Sequence, residues 1–252
     1  MIQLNQLSKF YRDKKVVDAA DGQFERGKVT AIIGPNGAGK STLLAMAARL
    51  TSRDNGNVII DGKEIAQWDT RQLAKRLAVL RQANTLTMRF TVQELVAFGR
   101  FPYSHGRLTE QDNQVINSAL TYLDLIELKH KYLDELSGGQ RQMAFIAMVL
   151  AQDTDYVYLD EPLNNLDIKH SLQIMHVLQK MAHDMNKAVV LVIHDINFAA
   201  CYCDHILALK QGKVVADGSV NEVFQADVLA AIYETPFEIV TVKDKRICCY
   251  II

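Results

Sequence analysis

The nine residues Gly34-Pro35-Asn36-Gly37-Ala38-Gly39-Lys40-Ser41-Thr42 constrain this chain more than any other stretch. They fit the pattern Gly-x4-Gly-Lys-[Ser/Thr], a glycine loop whose successive backbone N–H groups converge on phosphate oxygens. Val29-Thr30-Ala31-Ile32-Ile33 leads into it as a short, β-branched apolar run, the pattern of a buried parallel strand. Leu43, Leu44, Met46, Ala47, Ala48 and Leu50 follow as good helix formers. Strand, loop and helix N-terminus together aim donors and a partial positive charge at an anion. In that pattern Lys40 adds a point charge at the β- and γ-phosphates, and the Ser41 hydroxyl is a Mg2+ ligand.

The chain around this loop has 252 residues, 49% hydrophobic and 23% charged, and a formal net charge of −1. That length suits one large domain with a sizeable insertion, and its core needs no disulfide. Near-neutral charge offers no bulk attraction to nucleic acid or anionic lipid, so nucleic acid is not an expected partner. The N-terminus alternates like a strand and has no secretory h-region. The longest apolar run, Met143 to Ala151, is far shorter than the roughly 18 residues of a spanning helix. A soluble, cytoplasmic chain that reaches a membrane only through a partner is expected. Cys201, Cys203, Cys248 and Cys249 lack the paired spacing of a zinc site and read as reduced thiols.

Strands are expected at Ile2–Lys9 and around Phe24, with Tyr11 in the loop between them, where its ring can stack on an adenine face. Asp61-Gly62 signals a hairpin, and Asp69 or Thr70 caps a helix to about Leu77 before a strand that ends at Arg81-Gln82. Residues 83–136 show helical signals only: Thr91 and Glu94 form a capping box, Gly99 and Pro102 end that helix, and Thr109 starts another. Leu136-Ser137-Gly138-Gly139-Gln140 opens an apolar helix. Tyr156 to Leu159 is a buried strand ending in Asp160-Glu161, Asp167 caps a helix, and Ala188 to Ile193 is a further strand ending at His194. Hairpins follow at residues 206–216 and 238–251.

Ligands of open α/β sheets bind beyond the carboxyl ends of strands, where the glycine loop and Asp160-Glu161 both fall. Asp160 is placed to complete the Mg2+ shell, and Glu161 to orient or deprotonate an attacking water.

The ordered set Leu136–Gln140, Asp160-Glu161 and His194 resembles the ATPase subunit of an ABC transporter across essentially the whole chain. The resemblance implies an α/β phosphate-loop NTPase core with an antiparallel β subdomain and an inserted helical subdomain. It divides one domain, 1–252, into an ATP-binding core (1–82 and 137–252) and a helical insert (83–136). Its implied site residues are Tyr11 on adenine, Gly34 to Thr42 as the Walker A loop, and Gln82 as the Q-loop glutamine near Mg2+ and the membrane partner. Ser137, Gly138, Gly139 and Gln140 are the signature, Asp160 and Glu161 the Walker B pair, Asp167 the D-loop end, and His194 the switch histidine. Glu161, His194, Lys40 and Gln82 are the implied catalytic set; Ser41, Gln82 and Asp160 are the implied Mg2+ set. ATP and Mg2+ are the implied ligands, with a homodimer closing head to tail around two ATPs. Permease subunits, and indirectly a substrate-binding protein, complete the implied assembly at the cytoplasmic face of the membrane.

Two positions depart from the family pattern. The D-loop reads Leu163-Asn164-Asn165-Leu166-Asp167 instead of the common Ser-Ala-Leu-Asp ending, and Met143 stands where arginine is usual. Phe98-Gly99-Arg100-Phe101-Pro102-Tyr103 and Leu166-Asp167-Ile168-Lys169-His170 resemble the siderophore, haem and cobalamin importer branch, siderophore members most. Cobalamin or haem cargo, or a soluble ABC ATPase without a permease, are the alternatives.

Overall fold

Burial separates two kinds of strand in this chain: some are apolar and buried on both faces, others alternate. A computed structural model describes residues 1–81 and 88–250. In chain order it carries β1 (Ile2–Tyr11), β2 (Lys14–Phe24), β3 (Val29–Ile33), α1 (Lys40–Ala47), β4 (Asn55–Ile60), β5 (Lys63–Glu64), α2 (Thr70–Ala74) and β6 (Leu77–Leu80). Helices α3 (Val92–Phe98), α4 (Phe101–Ser104), α5 (Glu110–Tyr122) and α6 (Gly138–Ala151) follow, then β7 (Tyr156–Asp160) and α7 (Ile168–His183). The chain continues through β8 (Ala188–Val192), α8 (Ile196–Tyr202), β9 (His205–Lys210), β10 (Lys213–Ser219), α9 (Val220–Val223) and α10 (Ala226–Tyr233). It closes on the hairpin β11 (Glu238–Val242) and β12 (Lys245–Cys249). Two compact units result, residues 1–68 with 179–252, and residues 69–178.

In the first unit β3 runs parallel to both β8 and β9, and β10 is antiparallel to β9. Every residue of β3 and β8 is buried, which is why neither alternates polar with apolar residues, Thr30 being the single polar side chain of the two. A separate antiparallel sheet has the order β2-β1-β4-β5. Its hairpin turns at Asp61 and Gly62, both with positive φ (49° and 81°), the backbone that an Asp-Gly pair supplies. Tyr11 is the last residue of β1 and not a loop residue, because it still pairs with Lys14 across the tight turn.

In the second unit β6 and β7 pair in parallel, and α3 and α5 pack on α6. The Thr91 capping box forms as expected: the Thr91 hydroxyl accepts from the Glu94 N–H at 3.2 Å, and the Glu94 carboxylate accepts from the Thr91 N–H at 2.8 Å. Gly99 is required by close approach, since a Cβ there would lie 2.2 Å from the Met148 carbonyl oxygen on α6. Pro102 does not end a helix. It sits in the first turn of α4, where a missing N–H costs nothing.

Arg100 and Asp112 form a buried ion pair at 2.9 Å, only 6% and 4% exposed. The guanidinium also donates to the Ala151 carbonyl at 2.9 Å and lies over the Tyr103 ring at 3.9 Å. Asp112 closes the capping box of α5 through Thr109. The Thr109 N–H, then its hydroxyl and Arg100, hold the Asp112 carboxyl below the usual aspartate range.

Removing one partner of such a pair strands the other charge, so Asp112→Ala is expected to lower stability by about 3–5 kcal/mol in urea unfolding. A depressed carboxyl contributes stability above its unfolded value of about 4 and loses it as pH falls through the depressed value. Asp112→Asn should therefore flatten the acid limb of the stability curve below about pH 4. An unchanged acid limb would remove the pair from that role.

Candidate nucleotide-binding site

The loop after β3 is shaped by what surrounds it. Gly34, Gly37 and Gly39 have φ of 138°, 76° and 101°, conformations open to glycine and costly for other residues. A Cβ on Gly34 would lie 2.0 Å from the Leu209 carbonyl oxygen of β9, and one on Gly39 would lie 2.6 Å from the Val16 carbonyl oxygen of β2. Around Gly37 there is open space. The loop thus packs on backbone at both ends and is clear in the middle, where a ligand would approach.

Lys40, 6% exposed, begins α1, and its ammonium donates to the carbonyls of Gly34 (2.8 Å) and Pro35 (3.0 Å). A cation set among loop amides and close to the N-terminus of α1 is a donor set that fits a polyphosphate. Ser41 and Thr42 follow on the half-buried side of α1. The Gly34 N–H donates to the Tyr233 hydroxyl at 3.2 Å. Burial pushes the Tyr233 phenol up to about 12, so it remains protonated at neutral pH.

Parallel strands in each unit end at chemistry-bearing residues, as the crevice rule for α/β sheets requires. In the first unit β3 ends at Gly34, and β8 is followed by the exposed His194. Asp195, next to it, caps α8 by accepting from the N–H groups of Asn197 (2.8 Å) and Phe198 (3.2 Å). Tyr11, half-exposed at the end of β1, has the Lys9 ammonium 5.6 Å from its ring centroid.

In the second unit β7 is buried up to its last residue, Asp160. Glu161 then takes φ 54°, a left-handed conformation that costs a non-glycine residue roughly 1–2 kcal/mol. This turns its side chain out of the strand's alternation. Its carboxylate accepts from the Asn164 side-chain amide. Gln82 lies outside the described residues.

Ser137 caps α6: its hydroxyl accepts from the Gln140 N–H at 3.3 Å, and the Gln140 side chain accepts from the Ser137 N–H at 3.1 Å. Gly138 is exposed with nothing near its Cβ position, whereas Gly139 is buried. Asp167 accepts from the His170 N–H (2.8 Å) and lies 2.7 Å from His170 Nδ1. Those two contacts hold its carboxyl below the usual range.

The first unit thus carries Tyr11, the glycine loop and His194. The second carries Asp160, Glu161, Asp167 and the Ser137–Gln140 turn. Tyr233 was not foreseen, because 199 positions separate it from Gly34 and no local pattern announces the bond. Among the described residues no cluster of metal-binding side chains exists, and the four cysteines are free thiols.

A family model described as ABC transporter matches residues 17–164. That settles the family. The chain belongs to the ABC transporters, as an ATP-binding subunit of the siderophore-import type, and is an ABC-type ATPase. It is 51% identical to the petrobactin import ATP-binding protein YclP of Bacillus subtilis, covering 99% of each chain. It is 48% identical to the petrobactin import ATP-binding protein FatE of Bacillus anthracis, covering 95% of this chain and 96% of that one. The dimeric structure of the bacterial ABC transporter cassette MJ0796 superposes with a TM-score of 0.77 at 28% identity, covering 87% of this chain and 99% of that chain. The phosphate-loop NTPase fold, with a mixed α/β core and an inserted helical subdomain, is that of the family.

For this ABC subunit, Lys40→Ala is expected to abolish tight ATP binding in calorimetry, because the loop loses its only side-chain cation. Gly34→Ala should do the same by another route, through the Leu209 carbonyl. Wild-type affinity in both variants would rule out the loop as the phosphate cradle.

Proposed function

We propose that this subunit hydrolyses ATP to energise import of a ferric siderophore through a membrane permease. The observation that carries the reading is the near-full-length similarity to two petrobactin import ATP-binding proteins. The intact Lys40, Asp160, Glu161 and His194 support it from the chemical side. A ferric petrobactin-type chelate is the first cargo to test.

In this proposal Tyr11 stacks on adenine, and the amides of Gly34 to Thr42 with Lys40 hold the phosphates. Ser41, Asp160 and Gln82 would hold Mg2+, which supplies charge neutralisation between the β- and γ-phosphates. Glu161 takes a proton from the attacking water, and His194 steadies that water and the γ-phosphate. Signature residues Ser137, Gly138, Gly139 and Gln140, with Asp167, face the nucleotide of a second copy. Gly138 supports this with its open surface at a capped helix N-terminus. Two copies then close around two ATPs.

The core is taken as residues 1–82 and 137–252, with the insert at 83–136. Met88, Phe98 and Phe101, in the insert, are exposed large apolar side chains. Apolar surface of that kind suits a contact with permease loops. Among the described residues no helix is long and apolar enough to cross a membrane, so attachment at the cytoplasmic face would come through that contact. A substrate-binding protein would deliver the chelate to the permease from outside.

Glu161→Gln is expected to keep ATP binding and to lower turnover by about 10²–10⁴-fold, the usual share of a general base. Near-wild-type ATPase activity would remove Glu161 from that role. Pull-down of the tagged protein from membranes in mild detergent should bring a polytopic permease in stoichiometric amount. Recovery of cytosolic partners alone would overturn the transport assignment.

A further inference from the structure

Gly139 occupies the first turn of α6, a place where glycine is a poor helix former. Its lack of a side chain has a specific cause. A Cβ there would lie 2.1 Å from Cδ2, 2.3 Å from Cγ and 2.7 Å from Nε2 of the His170 ring. The ring fills the space that any other residue at 139 would need. It cannot swing aside freely, because its Nδ1 is 2.7 Å from the Asp167 carboxylate, to whose same oxygen the backbone N–H of His170 donates at 2.8 Å. With Nδ1 protonated, it is the donor of that side-chain bond. The half-buried imidazole therefore ties two segments that are distant in sequence: the Ser137–Gln140 turn and the loop ending at Asp167.

We propose that His170 is a positioning residue that sets the first turn of α6 against the Asp167 loop and so governs turnover. The inference rests on the two-copy reading above, in which both segments face the other copy's nucleotide. Their mutual placement then decides whether the composite site closes. His170 bears on neighbouring protein groups. It acts through Gly139 and Asp167.

The test uses the isolated chain with Mg2+ and ATP. His170→Ala should leave single-chain affinity for a fluorescent ATP analogue and the thermal midpoint near wild type, while kcat falls by about tenfold or more. A purely structural role would move the midpoint instead. Gly139→Ala should lower kcat in the wild-type background, where the new methyl meets the ring, and by a smaller factor in the His170→Ala background, where it does not.

Wild-type kcat in His170→Ala, or the same Gly139→Ala factor in both backgrounds, would overturn the positioning role. ATP-induced dimerisation of Glu161→Gln, followed by light scattering, separates the two ideas. No dimer would sink the two-copy reading. A dimer together with an unmoved kcat in His170→Ala would sink the positioning role alone.

Discussion

The Leu209 carbonyl lies where a side chain on Gly34 would begin, and the shape of the glycine loop depends on that approach. It exists because β9 runs beside β3 in parallel, with Ile33 opposite Ala208, delivering the next carbonyl to the mouth of the loop. Val16 of β2 closes on Gly39 in the same way, and the Tyr233 hydroxyl at the end of α10 receives the Gly34 N–H. The loop's shape is thus set by three segments remote from it in sequence. Amides fixed in this manner need little reorganisation when charge arrives, which is where electrostatic stabilisation gains its advantage over water.

Much of this was legible in the sequence because the signals are local. The glycine loop, the Asp61-Gly62 turn, the Thr91 and Thr109 caps and the apolar strands each occupy fewer than a dozen neighbouring residues, and each formed as its chemistry requires. What was not legible depends on distant partners. Tyr11 ends a strand because it pairs with Lys14 across a turn too tight to leave a loop. Pro102 reads as a terminator, yet the chain re-enters a helix one residue before it, since proline at a first turn loses no bond. Tyr233 carries no motif at all. Its value arises only when α10 reaches the glycine loop.

The segment Phe98 to Tyr103 is informative about packing as well as about the siderophore branch that it resembles. Gly99 admits the Met148 carbonyl, and Arg100 is buried on Asp112 and the Ala151 carbonyl beneath the Tyr103 ring. A buried pair is a weak source of net stability, but it is severe toward wrong packings, because any other arrangement leaves a charge unmatched. This motif holds α3, α5 and α6 in one arrangement. Only Phe98 and Phe101, pointing outward, are left for a partner to touch.

The unusual loop after Glu161 follows the same economy. Where a serine and an alanine are common, this chain has Asn164 and Asn165. Asn165 takes φ 61°, a left-handed conformation that asparagine tolerates better than alanine. Asn164 donates its side-chain amide to the Glu161 carboxylate. An amide can hold a carboxylate in place but has no acidic proton to give it, so the departure fixes the Glu161 carboxylate without protonating it. Three residues further on, Asp167 holds His170 and His170 covers Gly139. Within ten residues, then, one loop restrains the Glu161 carboxylate at one end and the Gly139 turn at the other. A change in the loop therefore acts on both ends together.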